Sequence, residues 1–336
     1  MGGRIRLASL ALALCAAAPA ASQPLSTITI TVGTSAGGTY DASARLLARH
    51  MGQYLPGNPQ FIIQNLPGGG GLVAFNQLAN TAPRDGSVMT ISDGAVLFEA
   101  LFGNPAARFD ARKLNWIGSR ARETPLCVAM ASKVPGKSAA AIKDAQQHEV
   151  VVGAIGGTRT DNSSRLANAL LGTKFKIVTG YPGSSEIVLA LERGEVEGMC
   201  GWSWTTIKRR VPDWLRDKKL NLLVQTGVEK APDLPDVPLA LDLARNSEER
   251  DIMRLLISDT QIATPLIAPP DVPAARVAEL RNAFDQAMQN PQLLADAQQQ
   301  QIDIDPTPGV KLQAAVDQMF ALPEPIVAKA KVIFRK

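Results

Sequence analysis

Histidine is scarce: this chain of 336 residues holds only His50 and His148. A nucleophile that needs an imidazole base therefore has two choices at most. Cysteine is scarce as well, with three residues, and no His/Cys/Asp cluster has the spacing of a metal site. Charge of one sign is also missing. Without the first 22 residues the chain carries 33 basic and 31 acidic residues, too even a balance to indicate a nucleic acid or a membrane surface as partner. Long apolar runs are missing except at the start. Leu7 to Ala18 follows Arg4 and Arg6, is shorter than the about 20 residues that cross a bilayer, and ends in small residues. This is the layout of a secretory signal peptide over residues 1–22, cleaved near 20–22. Cys15 follows the bulky Leu14, where a lipid-anchor signal needs a small residue, so simple export to the periplasm is expected.

The whole chain is globular in composition, 46% hydrophobic and 20% charged, and long enough for two domains. Two cysteines remain after export, Cys127 and Cys200, in the apolar contexts LCVAM and GMCGW. A disulfide and two separate core thiols both fit.

Strand and helix patterns alternate. TITITV (27–32), FIIQN (61–65) and VMTIS (88–92) read as strands, with helices over 42–54 and 72–79. A second series follows: strands at 126–132, 150–156, 175–180, 196–202 and 220–226, and helices at 138–147, 161–171 and 184–193. Gly194 is placed to end the last helix in a left-handed turn. After the Pro-rich stretch 231–240 comes one strand at 262–270, then helical sequence to Phe334. Such strand–helix–strand units imply parallel pairing. The expectation is a first lobe over 23–122, a second over 123–228, and a return over 229–336 that packs on the first. Two crossings make a hinge, and a cleft between hinged lobes is a ligand site.

Gly33-Thr34-Ser35-Ala36-Gly37 matches the G-x-S-x-G turn of serine hydrolases. However, His50 would lie about 15 Å up the following helix, and no earlier loop supplies a second oxyanion donor. Gly136-Lys137-Ser138 lacks the leading P-loop glycine, because that position is Ala131. Gly68 and Gly70 lack the third dinucleotide glycine, because that position is Val73. No cofactor, metal or catalytic residue is indicated. A different motif recurs: GTSAGGTYD (33–41), GAIGGTRTD (153–161) and GYPGSSE (180–186) each follow a strand and open a helix. Each offers backbone N–H groups and hydroxyls at a positive helix end, where carboxylates bind.

Ala36-Gly37-Gly38-Thr39-Tyr40-Asp41 with Ala44-Arg45-Leu46-Leu47, and Gln64-Asn65-Leu66-Pro67 with Gly68 to Gly71, form an ordered set with Pro83-Arg84-Asp85-Gly86-Ser87. Gly180 to Glu186, Leu191 to Glu197, Asp236-Val237-Pro238 and Ala268 to Pro273 continue the set. It resembles the solute-binding proteins of tripartite tricarboxylate transporters, the Bug-type extracytoplasmic receptors. Ala36 stands where that family usually has proline, and Asp161-Asn162 where many members have histidine. The resemblance implies a two-lobed α/β "Venus flytrap", each lobe a mixed, mostly parallel sheet flanked by helices. It implies a periplasmic carrier, a monomer, that passes a small organic carboxylate to membrane permease subunits. It points to ligand contacts from Ser35, Gly37, Gly38, Thr39 and Asp41 on one lobe. On the other it points to Gly157, Thr158, Arg159 and Asp161, with Tyr181 and Ser184 nearby. Arg159 could meet a ligand carboxylate, pair with Asp161 or face solvent; Asp41 could meet a ligand amine or only favour its helix start. Trp202 and Trp204 fit either the cleft or packing. An exported hydrolase using Ser35 and a binding-only sensor are the alternative functions.

Overall fold

The computed structural model describes residues 23–136 and 139–335. The expected export signal, with Cys15, and Lys137-Ser138 lie outside the described residues. Among these the chain forms β1 (Thr27–Val32), β2 (Gln60–Asn65), β3 (Val88–Ile91), β4 (Asn115–Ser119), β5 (Pro125–Met130) and β6 (Glu149–Gly153). It continues with β7 (Lys174–Val178), β8 (Gly198–Ser203), β9 (Leu220–Gln225), β10 (Pro265–Ala268) and β11 (Thr307–Pro308). One sheet has the order β11-β4-β10-β3-β1-β2, the other β7-β6-β8-β5-β9. Both are mixed. β1 lies parallel to β2 and β3, and β6 parallel to β7 and β8, while β10 and β5 run antiparallel to their neighbours. Helices flank both sheets, as in a two-lobed binding protein.

Local chemistry explains the elements. In β1 the β-branched Ile28, Ile30 and Val32 are all buried. The helix Thr39–His50 turns Ala44, Leu46 and Leu47 inward and leaves Arg45 about half exposed. The helix Ser184–Arg193 ends where Gly194 takes φ 73°, a left-handed position that suits glycine. The chain leaves the first sheet after Ser119 and returns to it at Pro265. The helices Ala274–Gln289 and Gly309–Phe320 then pack on β4. Gly118 permits this approach: a Cβ there would fall 2.2 Å from the Phe284 ring. The helix Glu324–Arg335 packs on the helix Ser247–Ile257.

Several elements differ from the sequence reading. The first helix begins at Thr39 and stops at His50, before a separate 3-10 turn at Gly52–Tyr54. The helix expected over 161–171 starts at Arg159, and its last turn widens to a π-helix at Ala167–Leu171. The strand β4 and the helices Val96–Leu101, Trp204–Arg210 and Ser247–Ile257 are not among the expected elements, although Ser247–Ile257 is amphipathic and capped by Asn246. Cys127 on β5 and Cys200 on the adjacent β8 are joined by a disulfide buried in the second lobe.

Candidate functional site

The parallel strands deliver their carboxyl ends to the space between the sheets, the usual place for a ligand in α/β folds. A cavity of about 50 Å³ lies there. Thr34 and Ser35 reach it after β1, Asp93 after β3, Ile155 and Thr158 after β6, and Gly183 after β7. Glu123, between β4 and β5, and Trp202 on β8 complete its wall.

Two helices begin at this cavity with glycine as N-cap and no side-chain cap: Thr39–His50 after Gly38, and Ser184–Arg193 after Gly183. Their first N–H groups have no intrahelical acceptor, and they carry the positive end of the helix dipole. The lobes meet closely around them. Thr39 Oγ1 and Thr206 Oγ1 lie 2.9 Å apart, and a Cβ on Gly183 would fall 2.3 Å from Ser35 Oγ. A Cβ on Gly70 would fall 2.8 Å from the Gly156 carbonyl oxygen.

Of the residues singled out by sequence, Ser35, Gly38, Thr39, Thr158, Arg159 and Ser184 line the cavity. Gly37, Asp41, Gly157, Asp161 and Tyr181 have other tasks. Gly37 takes φ 82° and donates its N–H to Asp41 Oδ2 at 2.9 Å. Asp41 also accepts from Arg45 and from Asn65, so it braces the loop from behind. Burial alone would raise its pKa; the bonds from Arg45, the Gly37 N–H and Asn65 bring it below the usual range. The second loop repeats the device. Gly157, at φ 73°, donates to Asp161 Oδ2 at 3.2 Å, and Arg165 pairs with Asp161 at 2.7 Å. GGTYDASAR (37–45) and GTRTDNSSR (157–165) therefore share one spelling, G-x-x-x-D-x-S-x-R, and one conformation. That shared spacing was available in sequence and marks the glycine and the acid as turn formers. Tyr181 packs in the second lobe's core against Gly153.

Arg159 is neither paired with Asp161 nor free in solvent. Its guanidinium meets Asp259 at 2.7 Å, Glu123 at 2.8 Å and Asp93 at 3.4 Å, and its N–H donates to Asp93 Oδ2 at 3.2 Å. These partners come from both sides of the cleft, and sequence reading missed all three. Burial would lower the Arg159 pKa, but Asp259 and Asp93 hold it well above the usual value. Burial pushes Glu123 up, and raises Asp259 from 3.8 to about 6 despite Arg159, because the carboxylates also repel one another.

A pH dependence follows. The raised Asp259 contributes stability that is full below about 3.8 and is lost as pH rises through about 6. Asp296, held near 2 chiefly by His50 and despite some burial, contributes stability present above 3.8 and lost as pH falls toward 2. Thermal melts should therefore show a higher midpoint at pH 5.5 than at pH 7.5 and a decline below pH 4. A midpoint that rises steadily from pH 5.5 to 7.5 contradicts this assignment, and Asp259→Asn should flatten the neutral limb.

Ser35 has no base. His50 Nε2 sits 3.0 Å from Asp296 Oδ2 at the far end of the first helix, and His148 pairs with Asp144 at the exposed end of another. Neither lines the cavity. Trp202 does line it, buried, and its Nε1 has no acceptor. Trp204 instead donates to Asp233 at 2.9 Å and lies under the Lys208 ammonium. Among the described residues no helix is long and apolar enough to cross a membrane, and no group of three metal-ligating side chains occurs.

Comparison with known proteins agrees with this geometry. MatC from Rhodopseudomonas palustris, solved with bound malate, superposes with a TM-score of 0.70 at 22% identity, covering 92% of this chain and 98% of that one. A second R. palustris protein, solved with adipate, gives 0.70 at 20% identity, covering 91% and 97%. The periplasmic binding protein BugD gives 0.71 at 18% identity, covering 92% and 96%. These likenesses show the fold. A UPF0065 protein of Agrobacterium vitis is 26% identical over 81% of this chain and 74% of its own length. The model of the tripartite tricarboxylate transporter family receptor matches residues 43–314. The chain therefore belongs to the tripartite tricarboxylate transporter receptors, which are periplasmic solute-binding proteins and not enzymes.

Proposed function

We propose that this receptor captures a small carboxylate-containing metabolite between its lobes and delivers it to the membrane permease subunits of a tripartite transporter. It does so in the periplasm as a monomer, after loss of residues 1–22. The observation that carries this reading is the pair of uncapped, glycine-started helices converging on one buried cavity. Their N–H groups suit a carboxylate, and Thr39, Ser35 and Ser184 add hydroxyls beside them. The malate and adipate held by two relatives of the same fold support the choice of anion. Closure is driven by contacts that exist only when the lobes meet.

A thermal-shift screen of small carboxylates tests it. A ligand at 100 times its Kd stabilises the folded state by about 2.7 kcal/mol. Ser35→Ala should weaken that ligand by about 1 kcal/mol, the value of one hydrogen bond, or roughly fivefold. If no organic anion shifts the melting curve, the carboxylate reading fails.

A further inference from the structure

Strand β8 loses its regular alternation where it borders the cavity. Against β5, Met199 pairs with Val128 and Trp202 with Leu126, so Cys127 alone faces both Cys200 and Gly201. The extra residue makes this a β-bulge, and Gly201 supplies the left-handed position it needs at φ 66°. A Cβ there would fall 2.5 Å from the Arg159 carbonyl oxygen, so only glycine fits. The bulge changes where side chains point. Residues three apart on a regular strand face opposite sides. Met199 and Trp202 instead share one apolar cluster and both line the cavity, while Cys200 belongs with Cys127 to a different cluster. The disulfide joins the two strands at the bulge itself and holds it in place.

The indole so placed is large, and the space beside it is small. The cavity holds about 50 Å³, against the roughly 300 Å³ at which small-molecule sites ordinarily begin. Trp202 is 2% exposed, and its Nε1 is buried without an acceptor. Elsewhere in the chain the rule for indoles is kept: Trp116 donates to the Ala111 carbonyl at 3.0 Å, and Trp204 to Asp233 at 2.9 Å. A buried indole N–H normally finds an acceptor, and leaving it without one is costly. An acceptor that arrives with a ligand removes that cost.

We infer that Trp202, presented by the bulge at Cys200–Gly201, is a specificity-determining residue of the cavity. Its ring limits the length of the bound molecule, and its Nε1 donates to an oxygen of that molecule. This rests on the carboxylate reading and adds to it the residue that selects among carboxylates. The bulge, the disulfide and the glycine contact with Arg159 fix the ring from three sides, so it acts as a rigid wall.

Proton–nitrogen NMR of the mature protein resolves its indole N–H groups, and Trp202→Phe identifies the Trp202 signal by its loss. The protein is titrated with the straight-chain acids from acetate to octanoate and from oxalate to suberate. An acid that binds should move the Trp202 signal downfield and leave those of Trp116 and Trp204 in place. Trp202→Phe keeps most of the packing but lacks the N–H, and should bind that acid about fivefold more weakly by calorimetry. Trp202→Ala opens the wall and should accept longer acids than the parent does. The inference is overturned if an acid binds without moving the Trp202 signal, if Trp202→Phe binds it as tightly as the parent, or if Trp202→Ala keeps the parent's length limit. In those cases carboxylate binding itself still stands. If no acid of either series binds the parent, the carboxylate reading fails and this assignment with it.

Discussion

Arg159→Met is expected to lower the free energy of unfolding by about 3–5 kcal/mol, because it leaves buried carboxylates without their cation. Asp93, Glu123 and Asp259 all direct oxygens at this one guanidinium, and each is nearly inaccessible to water. Chemical denaturation near neutral pH measures the loss. Since Arg159 opens a helix of the second lobe and Asp93 follows β3 of the first, the variant should also loosen the contact between the lobes. Small-angle scattering should then report a larger radius of gyration. Arg159→Lys should recover only part of the stability, because an ammonium lacks the planar fork that serves three acceptors. A methionine variant as stable and as compact as the parent would show that Arg159 does not hold the lobes together.

The disulfide gives the second large effect. Cys127 and Cys200 are 73 residues apart, so joining them restricts the unfolded chain over a long loop. Chain-entropy arithmetic puts this at about 4 kcal/mol. The double variant Cys127→Ala/Cys200→Ala should lose about that much in denaturant. Both residues are fully buried, so the native protein should resist thiol labelling and mild reductant. The bond has a local task as well. Cys127 lies where β5 shifts register against β8 and β9, and Cys200 precedes Gly201 and Trp202 in the cavity wall. Ligand affinity should therefore fall along with stability. A double variant within 1 kcal/mol of the parent would falsify the entropic argument.

The elements visible in sequence are those with a strong local rule. TITITV is bounded by a glycine and alternates, and it forms β1 without a shift of either end. The helix before Gly194 is bounded as clearly. β4 was not visible, because Asn115-Trp116-Ile117-Gly118-Ser119 is short and buried along most of its length, so it shows no alternation. The glycine loops were visible as anion cradles, yet the roles within them were not. That Asp41 and Asp161 accept the Gly37 and Gly157 N–H groups and so shape their own loops is seen only in the structure. The partners of Arg159 lie 36, 66 and 100 residues away, and no local pattern announces such pairs.

The twin loops are not equal, and the difference sets an order of events. Thr158 Oγ1 caps its own helix by accepting from Thr160 N, whereas Gly38 has no side chain with which to do so. On the proposed carboxylate reading, an arriving anion would find its first footing on the loop after β1, and the other lobe would then bring Gly183 to it. Arrival would depend on the open first loop and residence time on how long Arg159 holds Asp93, so affinity and dwell would be tuned by different residues.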